Sequence, residues 1–174
     1  MNLKHLIINS VFSFVTLTSL HATALPSDTE QPLYVESEQV EFDEKQGLTT
    51  YSGTVLMRQG TMRIEAEKIV IHGKIDRANM VVATGGPAHF SQTPEKQTIP
   101  VTAQAKRLEY RVDQQTLILT GDAALDQEGT SLSGDKIEYD VKKAIVKAGG
   151  GTLQDGSQTR VKMVIPPKVL QPDS

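Results

Sequence analysis

The sequence predicts an all-β protein assembled from two stacked copies of one strand unit. Val40-Glu41-Phe42 is echoed 68 positions later by Leu108-Glu109-Tyr110, and Gly53 is echoed by Gly121 at the same offset. Around these landmarks apolar and polar residues alternate with a period of two, which is typical of half-buried strands. A repeat of this kind indicates one supersecondary unit stacked on itself, and such a stack has open ends.

Residues 1–24 are typical of a secretory signal peptide. Lys4 lies in a short polar start, residues 6–20 carry no charge, and Ala22-Thr23-Ala24 offers small residues where signal peptidase reads them. A membrane-spanning helix needs about 20 apolar residues, and this run is shorter and interrupted by Ser, Thr and Asn. We therefore expect cleavage before Leu25 and a soluble mature chain.

Two long alternating runs predict equivalent strands in the two repeats. One face of the first run carries Thr49, Tyr51, Gly53, Val55 and Met57, and one face of the second carries Leu117, Leu119, Gly121, Ala123 and Leu125. Turn signals separate the strand runs at 43–47, 59–60, 85–87, 128–129 and 149–151. Residues 64–71 could form a short helix on propensity, but β-branched Ile69, Val70 and Ile71 favour a strand.

The parity of the apolar positions flips at comparable places along the chain. Leu33 and Val35 are odd-numbered, whereas Val40 and Phe42 are even-numbered, and the same flip recurs within 64–71, 101–110 and 132–139. A three-residue step moves side chains to the other face of a strand, so a strand that keeps one face buried must bulge there. Four such bends predict a sheet that is creased along one line and has a V-shaped cross-section.

The bends divide the chain into hairpin-like units over 40–57, 69–92, 108–127 and 137–156. A last run with Val161, Met163 and Ile165 ends at Pro166-Pro167, because two prolines cannot extend a central strand. We therefore predict one β domain over 25–167 and a flexible tail over 168–174.

Composition argues against several classes of function. A net charge of −3 without clustered Lys and Arg does not favour nucleic-acid binding, and the absence of Cys removes the disulfide and thiol chemistries. His72 and His89 have no second His or Cys at metal-ligand spacing, and there is no Gly-x-Ser-x-Gly motif. Gly149-Gly150-Gly151 lacks the Lys-Ser/Thr of a phosphate loop. We expect no catalytic residue, no metal and no cofactor.

The apolar residues of the mature chain are mostly aliphatic. The full sequence contains no Trp, 4 Phe and 4 Tyr. Smooth aliphatic walls suit acyl chains, which bind through apolar area and not through hydrogen bonds. An ordinary β core uses the same residue types, so composition leaves both interpretations open.

Several short segments, in their order, make a family resemblance specific. They are Leu33-Tyr34-Val35-Glu36-Ser37, Tyr51-Ser52-Gly53-Thr54-Val55, Arg58-Gln59-Gly60-Thr61, Gly134-Asp135-Lys136-Ile137 and Met163-Val164-Ile165-Pro166. Together with the repeat and the signal peptide, they resemble the OstA-like family, which includes the periplasmic bridge proteins of lipopolysaccharide transport in Gram-negative bacteria. The resemblance covers residues 30–166.

The resemblance implies a β-jellyroll with a slightly open, V-shaped hydrophobic groove. In this family the groove shields the acyl chains of lipid A, and jellyrolls stack between inner-membrane and outer-membrane transport proteins. The family's lipid-contacting positions match Thr29, Leu33, Phe90 and Val112. The aliphatic inward face adds Val35, Val55 and Leu119 as predicted lipid contacts.

We therefore expect a non-enzymatic periplasmic carrier that binds lipopolysaccharide and supports outer-membrane assembly. Open strand edges predict head-to-tail self-association, through Leu33 and Val35 at one end and Val161 and Met163 at the other. Two alternatives remain open. One is a periplasmic β scaffold that bridges proteins without binding lipid, and the other is a hydrolase that acts on envelope glycans.

Overall fold

The chain forms a single antiparallel sheet of ten strands in a computed structural model that describes residues 27–74, 77–94, 97–152 and 159–167. A 3-10 turn, η1, precedes the sheet at Asp28–Glu30. The strands are β1 Leu33–Glu36, β2 Gln39–Asp43, β3 Leu48–Gln59, β4 Met62–Lys74, β5 Arg77–Gln92, β6 Val101–Arg111, β7 Thr116–Gln127, β8 Thr130–Asp140, β9 Ile145–Gly149 and β10 Lys162–Val164. The predicted signal peptide and tail lie outside the described residues.

The sheet is a meander whose two ends are split. Its order is β1-β3-β4-β5-β6-β7-β8-β10, with β2 also paired to β3 and β9 also paired to β8. β1 pairs with the C-terminal part of β3, and β2 pairs with its N-terminal part. At the other end of the sheet, β10 pairs with the N-terminal part of β8 and β9 pairs with its C-terminal part. Each end of the sheet therefore presents two short edge strands.

The predicted crease is confirmed by the strand register. Every pair from β3/β4 to β7/β8 contains a register shift, and the shifts lie side by side across the sheet. They fall between Ser52 and Val55, Glu65 and Lys68, Thr84 and Ala88, Gln104 and Arg107, and Thr120 and Ala123. Such bulges bend the strand and let the same face stay buried on both sides.

Glycines of the repeat mark this crease. Gly53 has φ +95° and Gly121 has φ +78°, a backbone region that favours glycine, and each lies within a register shift. Gly85-Gly86-Pro87 also lies at the crease, inside β5. The expectation that these three residues separate two strands is wrong, because β5 pairs with β6 on both sides of the bulge.

The crease divides the sheet into two halves that face each other. The front half contains β1, β10 and residues 55–59, 62–66, 88–92, 101–105, 123–127 and 130–134. The back half contains β2, β9 and residues 48–52, 68–74, 77–84, 107–111, 116–120 and 136–140. We call the space between the two inner faces the wedge.

Within the described part of the chain, no helix is long and apolar enough to cross a bilayer. The segment 64–71 belongs to β4, so the strand preferred by Ile69, Val70 and Ile71 is the one that forms.

Candidate lipid-binding wedge and its open ends

The wedge is lined by apolar side chains from both halves. The front half contributes Val55, Met57, Ile64, Phe90, Val101 and Leu125, and the back half contributes Ile69, Val81, Leu108, Tyr110, Leu119 and Ile137, all of them buried. The rings of Phe90 and Tyr110 meet across the wedge with their centroids 6.3 Å apart and tilted by 35°. The two halves therefore pack directly against each other in the middle of the molecule.

Three predicted lipid contacts lie in this packed middle. Val55 on β3 and Phe90 on β5 belong to the front half, and Leu119 on β7 belongs to the back half. Their side chains are almost completely buried. An acyl chain could reach them only if the two halves separated, because protein interiors leave no room for an added chain.

The other predicted contacts lie nearer the surface. Val35 on β1 and Val112 in the turn after β6 are half-buried and pack against the core. The Val112 amide donates to the Asn79 carbonyl over 3.0 Å, which fixes the turn at the open side of the back half. Leu33 is 39% exposed on β1, and Thr29 is exposed within η1. The structure thus spreads the seven predicted contacts from the surface to the interior.

The N-terminal end of the sheet exposes a strip of apolar side chains. Leu33 and Tyr34 lie on β1, and Val40 and Phe42 lie on β2. Among the described strands, β1 and β2 each pair with β3 alone, so their outer edges carry unpaired backbone groups. Tyr34, Val40 and Phe42 were not predicted as edge residues, although their position before the first long strand is a signal for it.

The C-terminal end is also open and apolar. A cavity of about 270 Å³ lies between β9 and β10, lined by Leu125, Gln127, Glu128, Thr130, Leu132, Val146 and Met163. Met163 is 58% exposed, and Val161, Val164 and Ile165 beside it are also exposed. Of the two predicted edge residues, Met163 lines this mouth and Val161 directly precedes β10. Leu125, Leu132 and Val146 were missed, because only the fold brings them together.

Two tyrosines in the wedge have perturbed acidity. Burial raises the pKa of the Tyr110 phenol to about 12, and the negative charge of Asp28 adds to the effect. Burial and then the charge of Asp140 raise the pKa of Tyr139. Both phenols therefore stay neutral at physiological pH and do not supply charge to the interior.

The outer faces of the two halves carry ion pairs, among them Glu109 with Arg107 at 3.5 Å and with Arg111 at 3.0 Å. His72 and His89 lie on different halves and next to the inward-facing Ile71 and Phe90, so they face outwards. No group of three or more His, Cys, Asp or Glu residues in the described ranges could hold a metal ion. The ion pair Lys106–Asp122, at 2.7 Å, is exposed, and Lys143–Asp140, at 2.9 Å, joins an exposed lysine to a half-buried aspartate.

Comparison with known proteins identifies the family. The family model described as LptA/(LptD N-terminal domain) LPS transport protein matches residues 34–145. The chain belongs to this family. The matched range runs from β1 to the first residue of β9 and so covers most of the creased sheet.

Curated relatives agree with this membership. The lipopolysaccharide export system protein LptH of Pseudomonas aeruginosa is 36% identical over 87% of this chain and 89% of its own length. LptA of Escherichia coli K12 is 33% identical over 91% of this chain and 84% of its own length. LptA of Haemophilus influenzae is 32% identical over 95% and 96%, respectively.

A solved structure confirms the fold. The crystal structure of LptH, described as the LptA homologous periplasmic component of the lipopolysaccharide transport device of Pseudomonas aeruginosa, superposes with a TM-score of 0.73. It is 33% identical and the match covers 82% of this chain and 100% of the solved chain. The predicted all-β jellyroll and the predicted membership of the lipopolysaccharide-transport family are both confirmed.

Proposed function

We propose that this protein is a periplasmic carrier that holds the lipid A acyl chains of lipopolysaccharide in the wedge. The observation that carries the proposal is the apolar, mostly aliphatic interior between the two halves, together with the exposed apolar side chains at both ends of the sheet. Cleavage of the predicted signal peptide would export the chain to the compartment of LptH, the periplasmic component to which it is similar. The sugars would remain in solvent outside the crevice.

The chemistry of the wedge suits an acyl chain. Its walls are formed almost entirely by aliphatic side chains, and burial of apolar area contributes about 25 cal/mol per Å². An acyl chain makes no hydrogen bonds, so it needs no polar partner in the interior. The seven predicted contacts, from Thr29 and Leu33 at the rim to Leu119 in the interior, would mark its path.

The ends of the sheet support a bridging role. β1 and β10 both belong to the front half, and β2 and β9 both belong to the back half. The N-terminal end of one copy can therefore add to the C-terminal end of another with front pairing to front and back to back. Such a head-to-tail contact does not close on itself and gives a ladder of sizes. The same edges would join inner-membrane and outer-membrane transport proteins that share the jellyroll.

The protein would act without catalysis and without a cofactor. The relatives are transport proteins by name, and the interior offers the neutral phenols of Tyr110 and Tyr139 in place of a nucleophile or an acid–base pair. Loss of envelope function after both His72 and His89 are replaced by Gln, in a protein that still folds, would instead favour the hydrolase.

A pull-down with immobilised lipopolysaccharide tests the carrier directly. The mature protein should be retained, and mass spectrometry after gentle purification should find lipid A species bound to it. A folded Val112→Asp variant is the matched test, because Val112 is a half-buried predicted contact and a carboxylate on an apolar wall costs several kcal/mol unless it is hydrated or neutralised. It should lose retention.

A scaffold that bridges proteins without lipid predicts a different result. The protein would then self-associate and bind its partners, yet it would pass through the lipopolysaccharide column without delay. That outcome, for the folded wild-type protein, would refute the carrier.

A further inference from the structure

The two ends of the sheet carry charges of opposite sign. At the N-terminal end, residues 33–43, which contain β1 and β2, include four carboxylates and no Lys or Arg. At the C-terminal end, β9 contributes Lys147, β10 contributes Lys162, and neither 145–149 nor 160–164 contains an Asp or Glu. An acidic end and a basic end attract each other, whereas two copies of the same end repel each other.

Cross-strand partners form an unbroken row that runs across the back half from one end of the sheet to the other. The row begins at Glu41 on β2 and ends at Lys147 on β9. Its successive members are Glu41, Thr50, Val70, Val82, Glu109, Ile118, Glu138 and Lys147. Glu41 and Lys147 are both exposed. A second copy that continues the sheet in the same register would therefore place its Glu41 beside Lys147 of the first copy.

Strand direction permits this continuation. The seven pairings from β2/β3 to β8/β9 are all antiparallel, and because seven is an odd number, β2 and β9 run in opposite directions. The β2 strand of a second copy in the same orientation would thus add to β9 as one more antiparallel strand. The same relation holds between β1 and β10 through the front half.

The neighbouring row of the back half matches apolar side chains on the inner face. This row begins at Phe42 and ends at Val146. In the continued sheet, Phe42 of one copy would lie beside Val146 of the next. A shift by one residue would set inward side chains beside outward ones, and a shift by two would move Glu41 away from Lys147. The charged pair and the apolar pair therefore favour the same register.

The front half repeats the pattern. Its row from β1 to β10 begins at Glu36 and ends at Lys162, and the adjacent row begins at Val35 and ends at Met163. The Arg58 guanidinium of the same chain already donates to Glu36 over 2.6 Å. Glu41 takes part in none of the ion pairs between described residues, so its pairing with Lys147 is the more sensitive one to test.

We propose that two charge pairs, Glu41 with Lys147 and Glu36 with Lys162, fix the direction and the register of the contact between a copy of this chain and the next. Opposite charges that face each other on adjacent antiparallel strands are stabilising, and like charges are destabilising. Apolar side chains supply contact area on the inner face, and the charge pairs select one end of the sheet over the other. The inference rests on the head-to-tail association proposed above and adds the residues that specify it.

Charge reversal tests the pairing by sedimentation velocity of the mature protein. The wild-type ladder should grow with protein concentration and shrink as NaCl is raised from about 0.05 M to about 0.5 M, because salt screens exposed charges. Glu41→Lys and Lys147→Glu should each raise the dissociation constant of the contact about tenfold. Both substitutions in one chain should restore the ladder, because opposite charges again face each other head to tail. A symmetric contact between two N-terminal ends would not be restored.

Asp113→Lys is the matched control. It makes the same change of charge as Glu41→Lys, in the exposed turn between β6 and β7, and should leave the ladder unchanged. Circular dichroism at low concentration checks that every variant keeps the fold. A ladder of equal strength in the wild type and both single variants, or no recovery in the double variant, would overturn the charge pairing and leave head-to-tail association standing. A wild-type protein that stays monomeric at every concentration would overturn both.

Discussion

The two repeats place equivalent residues in opposite environments. Val40 and Leu108 occupy the same position of the repeat, yet Val40 is 63% exposed and Leu108 is 1% exposed. Phe42 and Tyr110 are the next such pair, with exposures of 47% and 3%. Leu108 and Tyr110 lie on β6, which pairs with β5 and β7. Val40 and Phe42 lie on the edge strand β2, which pairs with β3 alone. The same local sequence therefore forms core in one repeat and an exposed edge in the other.

Residues in the middle of the sheet and residues at its ends have different numbers of neighbouring strands. A side chain in the middle of the wedge is covered by strands on both sides and by the opposite half. A side chain at an end has a strand on one side only. It becomes fully buried only when a strand of another chain adds to that edge. We therefore expect the middle to determine the free energy of unfolding and the ends to determine association.

Truncation of Leu108 and of Val40 should give the largest difference in the free energy of unfolding. Leu108→Ala should lower the free energy of unfolding by about 2–5 kcal/mol, because it leaves a cavity in the core. Val40→Ala, at the equivalent edge position, should change it by about 1 kcal/mol or less. Urea denaturation of both variants measures the two values, and equal losses would contradict the assignment of middle and end.

Alkaline pH should lower the stability of the fold through the buried Tyr110. An unfolded chain releases the Tyr110 proton near pH 10.0, whereas the folded chain holds it until about pH 12. Stability from this group is complete below pH 10 and falls as the pH rises to 12, by roughly 2–3 kcal/mol. Denaturation curves of Tyr110→Phe should lack this part of the fall.

The equivalent edge position supplies the control. Phe42→Tyr places a phenol at the exposed end of the first repeat, and it should add no comparable loss between pH 10 and 12. A fall that is unchanged in Tyr110→Phe would show that another group causes it.

Replacement of the crease glycine should destabilise the fold in both repeats. Gly53→Ala and Gly121→Ala each force an alanine to a positive φ, which costs of order 1–3 kcal/mol. Gly53 should be the worse site, because its added Cβ would come within 2.6 Å of the Glu38 side chain, compared with 3.2 Å to Lys106 at Gly121. Gly149→Ala has open space around it and serves as the neutral control. Thermal unfolding should rank the three variants in this order.

The smallest effect on folding is expected at the C-terminal end. Met163→Pro should lower the free energy of unfolding of the monomer by less than Leu108→Ala does, because β10 is an exposed edge strand of three residues. It should nevertheless abolish the ladder of head-to-tail species, because proline cannot donate a hydrogen bond to an added strand. Light scattering across a range of concentrations provides the measurement. An unchanged ladder would remove β10 from the contact.

The sequence predicted the crease because its signal is local. The parity flips at 64–71, 101–110 and 132–139 each coincide with a register shift, and the repeated Gly53 and Gly121 lie on the same line. Gly85-Gly86-Pro87 was misread because a wide bulge and a turn use the same residue types.

The exposure of the sheet ends and the contact between Asp28 and Gln92 could not be predicted from the same patterns. The exposure of Val40 and the burial of Leu108 depend on which strands lie beside them. The residues around each position do not show whether a neighbouring strand is present. The contact between Asp28 and Gln92 joins residues 64 positions apart and depends on the folded crease. The mouth between Val146 and Met163 arises in the same manner from two separate edge strands.

Site-specific photocrosslinking to lipopolysaccharide tests the central claim most directly. A photoreactive residue should be placed in turn at Phe90 and Val112 along the predicted path, and at Lys45 and Lys142 in exposed turns. We predict crosslinks to lipopolysaccharide from Phe90 and Val112 and none above background from the two lysine positions. Crosslinks that arise only from Lys45 and Lys142 would contradict a lipid held in the wedge.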